Sequence, residues 1–343
     1  MQRVLLILLF ASSLFCFEKW DYIDKKYSFT THHELSEKYD SVISPYFYAH
    51  KLHFFVTPDN KKIAYKIFLV KNSKASIVIS SGRTEGMVKY QELIYDLNKN
   101  GYDVYILDHR GQGYSQRLLK DKQMGYVDNF FHYVDDMKFF VDNFVSKKKK
   151  RVLLAHSMGG AIASLYVERY PDDFNALILS SPMHEPYILT PNMTPKLCKR
   201  MLEKENDLEK YVFGTDSYDI LTYKFEENDL THSKTRFEIM KKAYKKEAET
   251  RVGGPSKKWL KEACRWSAIS VKKAKLIKIP VLLLQAELDT AVTPQAQEVF
   301  CKAVKNCQAY RIEGAYHELF IEEDMIRQKA LSAIFDFISK IEN

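Results

Sequence analysis

A serine stands between an apolar run and a pair of glycines in Val152-Leu153-Leu154-Ala155-His156-Ser157-Met158-Gly159-Gly160-Ala161. The run predicts a strand, the glycines a sharp turn, and the small residues after them a tightly packed helix. Such a turn lifts a serine hydroxyl clear of a sheet and aims it at a helix N-terminus. Small residues two positions away are needed because the serine backbone is strained there; Ala155 takes the place of the usual first glycine. At the helix N-terminus the Met158 amide is placed to donate to a developing oxyanion.

A serine hydroxyl needs a base, and the base needs a carboxylate to orient it. In this arrangement the order along the chain is serine, acid, histidine. The apolar run 281–284 ends in Gln285-Ala286-Glu287-Leu288-Asp289, so Asp289 falls just beyond a strand. Glu287 competes, and position favours Asp289. A further strand near 309–312 runs into Glu313-Gly314-Ala315-Tyr316-His317-Glu318, where Gly314 lets the chain turn towards His317. Position 321 is Ile, so His317-Glu318 does not begin a zinc-protease motif. A second oxyanion donor is expected from Ser81-Gly82-Arg83-Thr84-Glu85-Gly86, with the Arg83 amide as the candidate. The Arg83 side chain is placed either to meet a phosphate or carboxylate on a substrate or to pair with Glu85.

The elements that must position these groups alternate. Strand-like runs at 52–56, 63–70, 76–80, 104–107, 152–155, 176–179 and 281–284 are interleaved with helical patterns near 86–99, 131–145, 158–170 and 294–305. A last helix runs from about 322 to 341. Alternation of this kind predicts an α/β fold with a mostly parallel central sheet flanked by helices. Runs that are apolar throughout fit a sheet covered on both faces. The alternation stops at 183–258, which is too long for a loop and reads as an inserted helical cap. The core is then 51–182 and 259–343, preceded by an aromatic and charged extension at 17–50 with no clear period.

Two motifs are set aside. Gly111 and Gly113 in Asp108-His109-Arg110-Gly111-Gln112-Gly113-Tyr114-Ser115 form half of a dinucleotide fingerprint, but Gln116 stands where its third glycine belongs. Asp108 there is expected to anchor the turn. The run Lys147-Lys148-Lys149-Lys150-Arg151 precedes a strand and so lies on the edge away from any ligand.

At 343 residues, 46% of them hydrophobic, the chain can bury a large core. Lys and Arg number 52 against 44 Asp and Glu, a net charge of +8 that suits contact with anionic lipid or simply a lysine-rich solvated surface. No basic motif with interleaved aromatics points to nucleic acid. Residues 1–16, with Arg3 ahead of Val4-Leu5-Leu6-Ile7-Leu8-Leu9-Phe10, read as an export signal or membrane anchor, too short for a comfortable span. Cys16 is a conceivable lipidation site. Without it, Cys198, Cys264, Cys301 and Cys307 make an even set that an oxidising compartment tolerates. Cys301 and Cys307 are close enough to pair across a helix end, and free buried thiols are the alternative. No C-x-x-C suggests a metal or redox site, and no metal or organic cofactor is expected.

Taken together, the segments at 81–85, 108–115, 155–160, Gly253-Gly254-Pro255-Ser256 with Trp259, 284–287 and 314–318 resemble the lysophospholipase and monoacylglycerol lipase branch of the α/β hydrolases, the bacterial inner-membrane lysophospholipases in particular. The resemblance runs from about residue 51 to the end and is weak across the cap. It implies an α/β-hydrolase fold and hydrolysis of an acyl ester on a glycerol backbone. It carries the nucleophile onto Ser157, the base onto His317, the acid onto Asp289 and the oxyanion amides onto Arg83 and Met158. It also implies a lipid ester substrate, while the basic surplus and the apolar N-terminus are expected to give peripheral membrane contact. A small-ester esterase, a thioesterase, an acyltransferase or an inactive binding protein of the same fold would share most of these residues.

Overall fold

The computed structural model describes residues 17–188, 193–217 and 222–342. The leader-like segment 1–16, with Cys16, lies outside them. In chain order the elements are β1 (Glu18–Lys19), α1 (His32–Lys38), α2 (Ser44–Ala49), β2 (His53–Val56), β3 (Lys62–Phe68), β4 (Ser76–Ser80), α3 (Gln91–Lys99), β5 (Asp103–Leu107), α4 (Phe131–Phe144), β6 (Arg151–His156), α5 (Met158–Arg169) and β7 (Ala176–Ser180). There follow α6 (Thr194–Leu202), α7 (Lys234–Lys246), α8 (Lys257–Lys273), β8 (Val281–Ala286), α9 (Pro294–Ala303), β9 (Cys307–Ile312) and α10 (Asp324–Glu342).

The strands form one sheet in the order β1-β9-β8-β7-β6-β4-β5-β3-β2, antiparallel only where β3 meets its neighbours β2 and β5. Every residue of β4, β5, β7 and β8 is buried, as expected of strands covered on both faces. Side chains alternate between those faces. Val78, Leu153, Leu177 and Leu283 meet α4, α5, α8 and α9, while Ile77, Leu154, Ile178 and Leu282 meet α3 and α10. Helix α10 shows why it docks: Ala330, Leu331, Ile334, Phe335 and Ile338 recur at helical spacing and are all buried. Ser256 caps α8 by accepting from the Trp259 amide at 3.1 Å, and Pro294 opens α9, where its missing N–H costs nothing.

The extension 17–50 is more ordered than its lack of period suggests. Glu18–Lys19 pair in parallel with Tyr310 and Arg311 of β9, too short a strand to leave a sequence pattern. Thr31 and Glu34 form a reciprocal capping box at the start of α1. Between β7 and β8 the inserted segment contributes α6 and α7 and then enters α8, so the sequence boundary at 258 falls inside a helix. Much of the insertion is irregular backbone. Cys198 of α6 is disulfide-bonded to Cys264 of α8, and Cys301 at the end of α9 to Cys307 at the start of β9.

Candidate active site

Strand β6 ends at His156 and α5 begins at Met158, leaving Ser157 alone to make the turn, at φ 51° and ψ −120°. A non-glycine residue holds that conformation only where its surroundings fix it. The Ser157 amide donates to the Ser180 carbonyl at 3.1 Å, and its carbonyl accepts from Gly160 and Met183, both at 2.8 Å. Gly159 and Gly160 are required by close approach. A Cβ on Gly159 would lie 2.1 Å from the Ser80 carbonyl oxygen, and one on Gly160 would lie 2.5 Å from Pro182 Cβ.

The hydroxyl meets its expected partners. Ser157 Oγ lies 2.9 Å from His317 Nε2, and His317 Nδ1 lies 2.8 Å from Asp289 Oδ2. The other Asp289 oxygen accepts from the amides of Ala291 at 2.8 Å and Val292 at 3.1 Å, which fixes the carboxylate's orientation. These three residues follow β6, β8 and β9, all at the sheet's carboxyl edge. Glu287, the competing acid, instead accepts from the Gly314 amide at 2.9 Å and holds the turn, at φ 69°, that leads to His317. His317 is buried. Burial alone would lower its pKa, but the Asp289 carboxylate, assisted by Glu318 and Glu85, outweighs this and raises it above 6.5.

The loop after β4 runs tightly against the serine: a Cβ on Gly82 would sit 3.2 Å from Ser157 Cβ. Gln112 Nε2 pins this loop by donating to the carbonyls of Gly82 at 2.7 Å and Glu85 at 2.8 Å. That is the work of the glycine-flanked segment 111–113. Asp108 anchors it by accepting from the Met87 amide at 2.6 Å and the Tyr114 amide at 2.7 Å. Arg83 follows Gly82 on the loop, and Met158 opens α5, where the first amides have no partner within the helix.

The pairing of Arg83 with Glu85 is not formed. Thr84 between them has φ 64°, which turns the two side chains apart. Arg83 Nη1 donates to the Gly253 carbonyl at 3.1 Å, and its guanidinium lies 5.5 Å from the centre of the Trp259 ring. Gly254 is needed next to it because a Cβ there would come within 2.7 Å of Thr215. The Gly253-Gly254-Pro255 segment therefore ties the insertion to the core by main-chain bonds to Gln123 and Gly125, while the Gly254 amide donates to the Asp216 carbonyl within the insertion.

Glu85 instead belongs to a buried charged cluster that sequence reasoning missed. The Lys89 ammonium contacts both Glu85 and Glu318, the latter at 2.6 Å. His156 Nε2 lies 3.2 Å from Glu318, and the His156 ring packs 4.8 Å from that of His317. Burial would raise the pKa of Glu318, but the Lys89 and His156 charges hold it well below the usual carboxylate value. Among the described residues, Glu85, His156 and Glu318 form the one group spaced to grip a metal ion. The Lys89 ammonium already supplies the positive charge there. Glu85 and Lys89 lie four residues apart, but His156 ends β6 and Glu318 follows β9, so no local pattern announces the whole cluster.

A cavity of about 400 Å³ opens onto Ser157 and His317 and is walled largely by apolar side chains, among them Met183, Tyr187, Ile188, Val212, Leu260 and Val292. That volume suits an organic ligand of modest size. A smaller cavity of about 110 Å³, beneath Tyr223, Phe237, Met240 and Tyr244, shares Thr84, Glu85, Leu230 and Glu318 with it.

The family model described as "Serine aminopeptidase, S33" matches residues 71–324. Lysophospholipase L2 of Escherichia coli (strain K12) is 36% identical over 296 residues, spanning 83% of this chain and 86% of that protein. A probable lysophospholipase L2 of Haemophilus influenzae is 33% identical over 284 residues, spanning 82% and 89%. Among solved structures, a monoacylglycerol lipase of Paleococcus ferrophilus superposes with a TM-score of 0.64 at 22% identity, covering 81% of this chain and 99% of that one. A soluble variant of monoglyceride lipase from Saccharomyces cerevisiae superposes at 0.66 with 19% identity, covering 85% and 95%. The last two establish the α/β-hydrolase fold, and with the family match and the two L2 relatives they make this chain a serine hydrolase of the serine aminopeptidase S33 family, in the lysophospholipase group.

Proposed function

We propose that the protein cleaves the acyl ester of lysophospholipids or monoacylglycerols through an acyl-enzyme. Ser157 attacks the ester carbonyl while His317 Nε2 takes its proton and Asp289 steadies the imidazolium. The Met158 and Arg83 amides hold the oxyanion. The glycerol-side alcohol leaves with the proton from His317, and water attacks the acyl-enzyme by the same route in reverse. The observation that carries the reading is the continuous Ser157–His317–Asp289 hydrogen-bond chain facing a largely apolar cavity. Chromogenic esters of rising chain length, followed by a lipid panel, test it. Turnover should rise into the long-chain range; turnover confined to acetate and butyrate esters would refute a lipid substrate.

His317 must be neutral to accept the serine proton. Its raised pKa therefore places the acid limb of kcat/KM above pH 6.5, with rate lost as pH falls through it. Asp289→Asn removes the largest raising influence and should move that midpoint down. A wild-type midpoint below 6.5, read from kcat/KM between pH 5 and 9, would count against His317 as the base.

Export or membrane association completes the reading. Arg3 and the apolar residues 4–10 support it, as do the net charge of +8 and the cysteine pairs, which persist in oxidising compartments. Cell fractionation with a C-terminal tag tests it, and recovery solely in the cytosol would overturn it. We assign acyl-chain choice to the insertion 183–258, which contributes Met183, Tyr187 and Val212 to the cavity wall.

A further inference from the structure

Arg83 is the one permanently cationic side chain among the described residues lining the cavity at Ser157. No carboxylate among the described residues lies within ion-pair distance of it. The cavity's own acids, Glu85 and Glu318, are both held by Lys89. Among the described residues its guanidinium meets the Gly253 carbonyl and the face of Trp259. Burial pushes its pKa down to about 10, so it stays charged at neutral pH while lacking an anionic partner. A cation left in this state is costly unless an anion arrives to meet it.

Its place on the chain adds a length argument. The backbone amide of Arg83 is the proposed oxyanion donor, and its guanidinium sits at the other end of the same residue. As many bonds separate an arginine's amide nitrogen from its guanidinium carbon as separate the ester carbonyl carbon of a 1-acyl-glycerophosphate from its phosphorus. One residue thus has the reach to meet the carbonyl oxygen with its main chain and a phosphate with its side chain. Trp259 and the Gly253 carbonyl hold the fork in place, which limits the entropy lost on binding. The planar donors left over match phosphate oxygens in pairs.

We infer that the Arg83 guanidinium binds the phosphate of a glycerophosphate head group and makes the enzyme select lysophospholipids over neutral monoacylglycerols. This rests on the lipid-ester reading above, and the test separates the two. Wild type, Arg83→Gln and Arg83→Lys are compared on 1-palmitoyl-lysophosphatidylethanolamine and 1-palmitoylglycerol in the same mixed micelles. The kcat/KM ratio of the first to the second should fall about 10- to 100-fold in Arg83→Gln, mostly through KM, as expected for loss of a charge-assisted contact. Arg83→Lys should recover part of it. A ratio within twofold of wild type, whatever the common change in rate, would overturn the assignment.

A second measurement needs neither lipid turnover nor a folded variant. Glycerol 3-phosphate should compete with hydrolysis of a chromogenic ester by the wild type at concentrations at least about tenfold below those of glycerol, given the strength of such contacts. Equal potency would overturn the phosphate site even if both lipids are cleaved. Competition with no lipid turnover would sink the proposed substrate and leave the phosphate site standing. If inorganic phosphate competes as well as glycerol 3-phosphate and the lipid ratio does not move in Arg83→Gln, the site takes free anion, and head-group selection is refuted.

Discussion

Ser157→Ala should lose at least about a thousandfold in kcat on any ester the wild type turns over, because nucleophile and base act as a unit. The substitution removes the one atom bonded to His317 Nε2. It leaves the main-chain bonds to Ser180, Gly160 and Met183 in place, and alanine tolerates φ 51° no worse than serine does. The folded state should therefore survive, and the residual rate should reflect the oxyanion amides and binding alone. Steady-state kinetics and labelling by a fluorophosphonate probe check this. A variant that unfolds in urea at the wild-type midpoint yet keeps more than a tenth of the rate would mean that another group attacks the ester.

Lys89→Met should destabilise the fold by about 3–5 kcal/mol, the range for leaving one side of a buried ion pair uncompensated. The Lys89 side chain is 7% exposed, and those of Glu85 and Glu318 are 5% and 9% exposed. Without the ammonium, two buried carboxylates would face each other with only His156 left to offset them. One of them would then take up a proton. The cost should shrink in Lys89→Met with Glu85→Gln, since the two positions share one interaction. Urea denaturation with both variants is the measurement. A loss below about 1 kcal/mol would place Lys89 with exposed pairs, which contribute little.

The proposed reacting groups were legible because each follows a strand end. Ser157 and Asp289 come after apolar runs, and His317 follows the more polar strand 307–312 through Gly314. Asp108 as an anchor was legible for the same reason. The partner of Arg83 was not. Nearness in sequence suggested Glu85, whereas the positive φ of Thr84 sends the arginine to Gly253, 170 positions on, and to Trp259. The Glu85–Lys89–Glu318–His156 cluster was hidden likewise, since its members come from the segment after β4, the end of β6 and the loop after β9, which only the folded sheet brings to one edge. In sequence the insertion reads as a helical cap. The structure spends much of that length on irregular backbone tied down by Gly254 and Gly125.

The insertion leaves the sheet after β7 and rejoins the core at α8, which leads back to the neighbouring parallel strand β8. Both its ends are thus anchored in the core whatever its length. Lengthening a segment so anchored costs only about 0.6 kcal/mol per doubling. Evolution can therefore rewrite the roof by insertion, deletion or wholesale exchange while the machinery at the ends of β6, β8 and β9 goes undisturbed. Acyl-chain preference and constancy of chemistry become separable traits, drawn from different stretches of one gene.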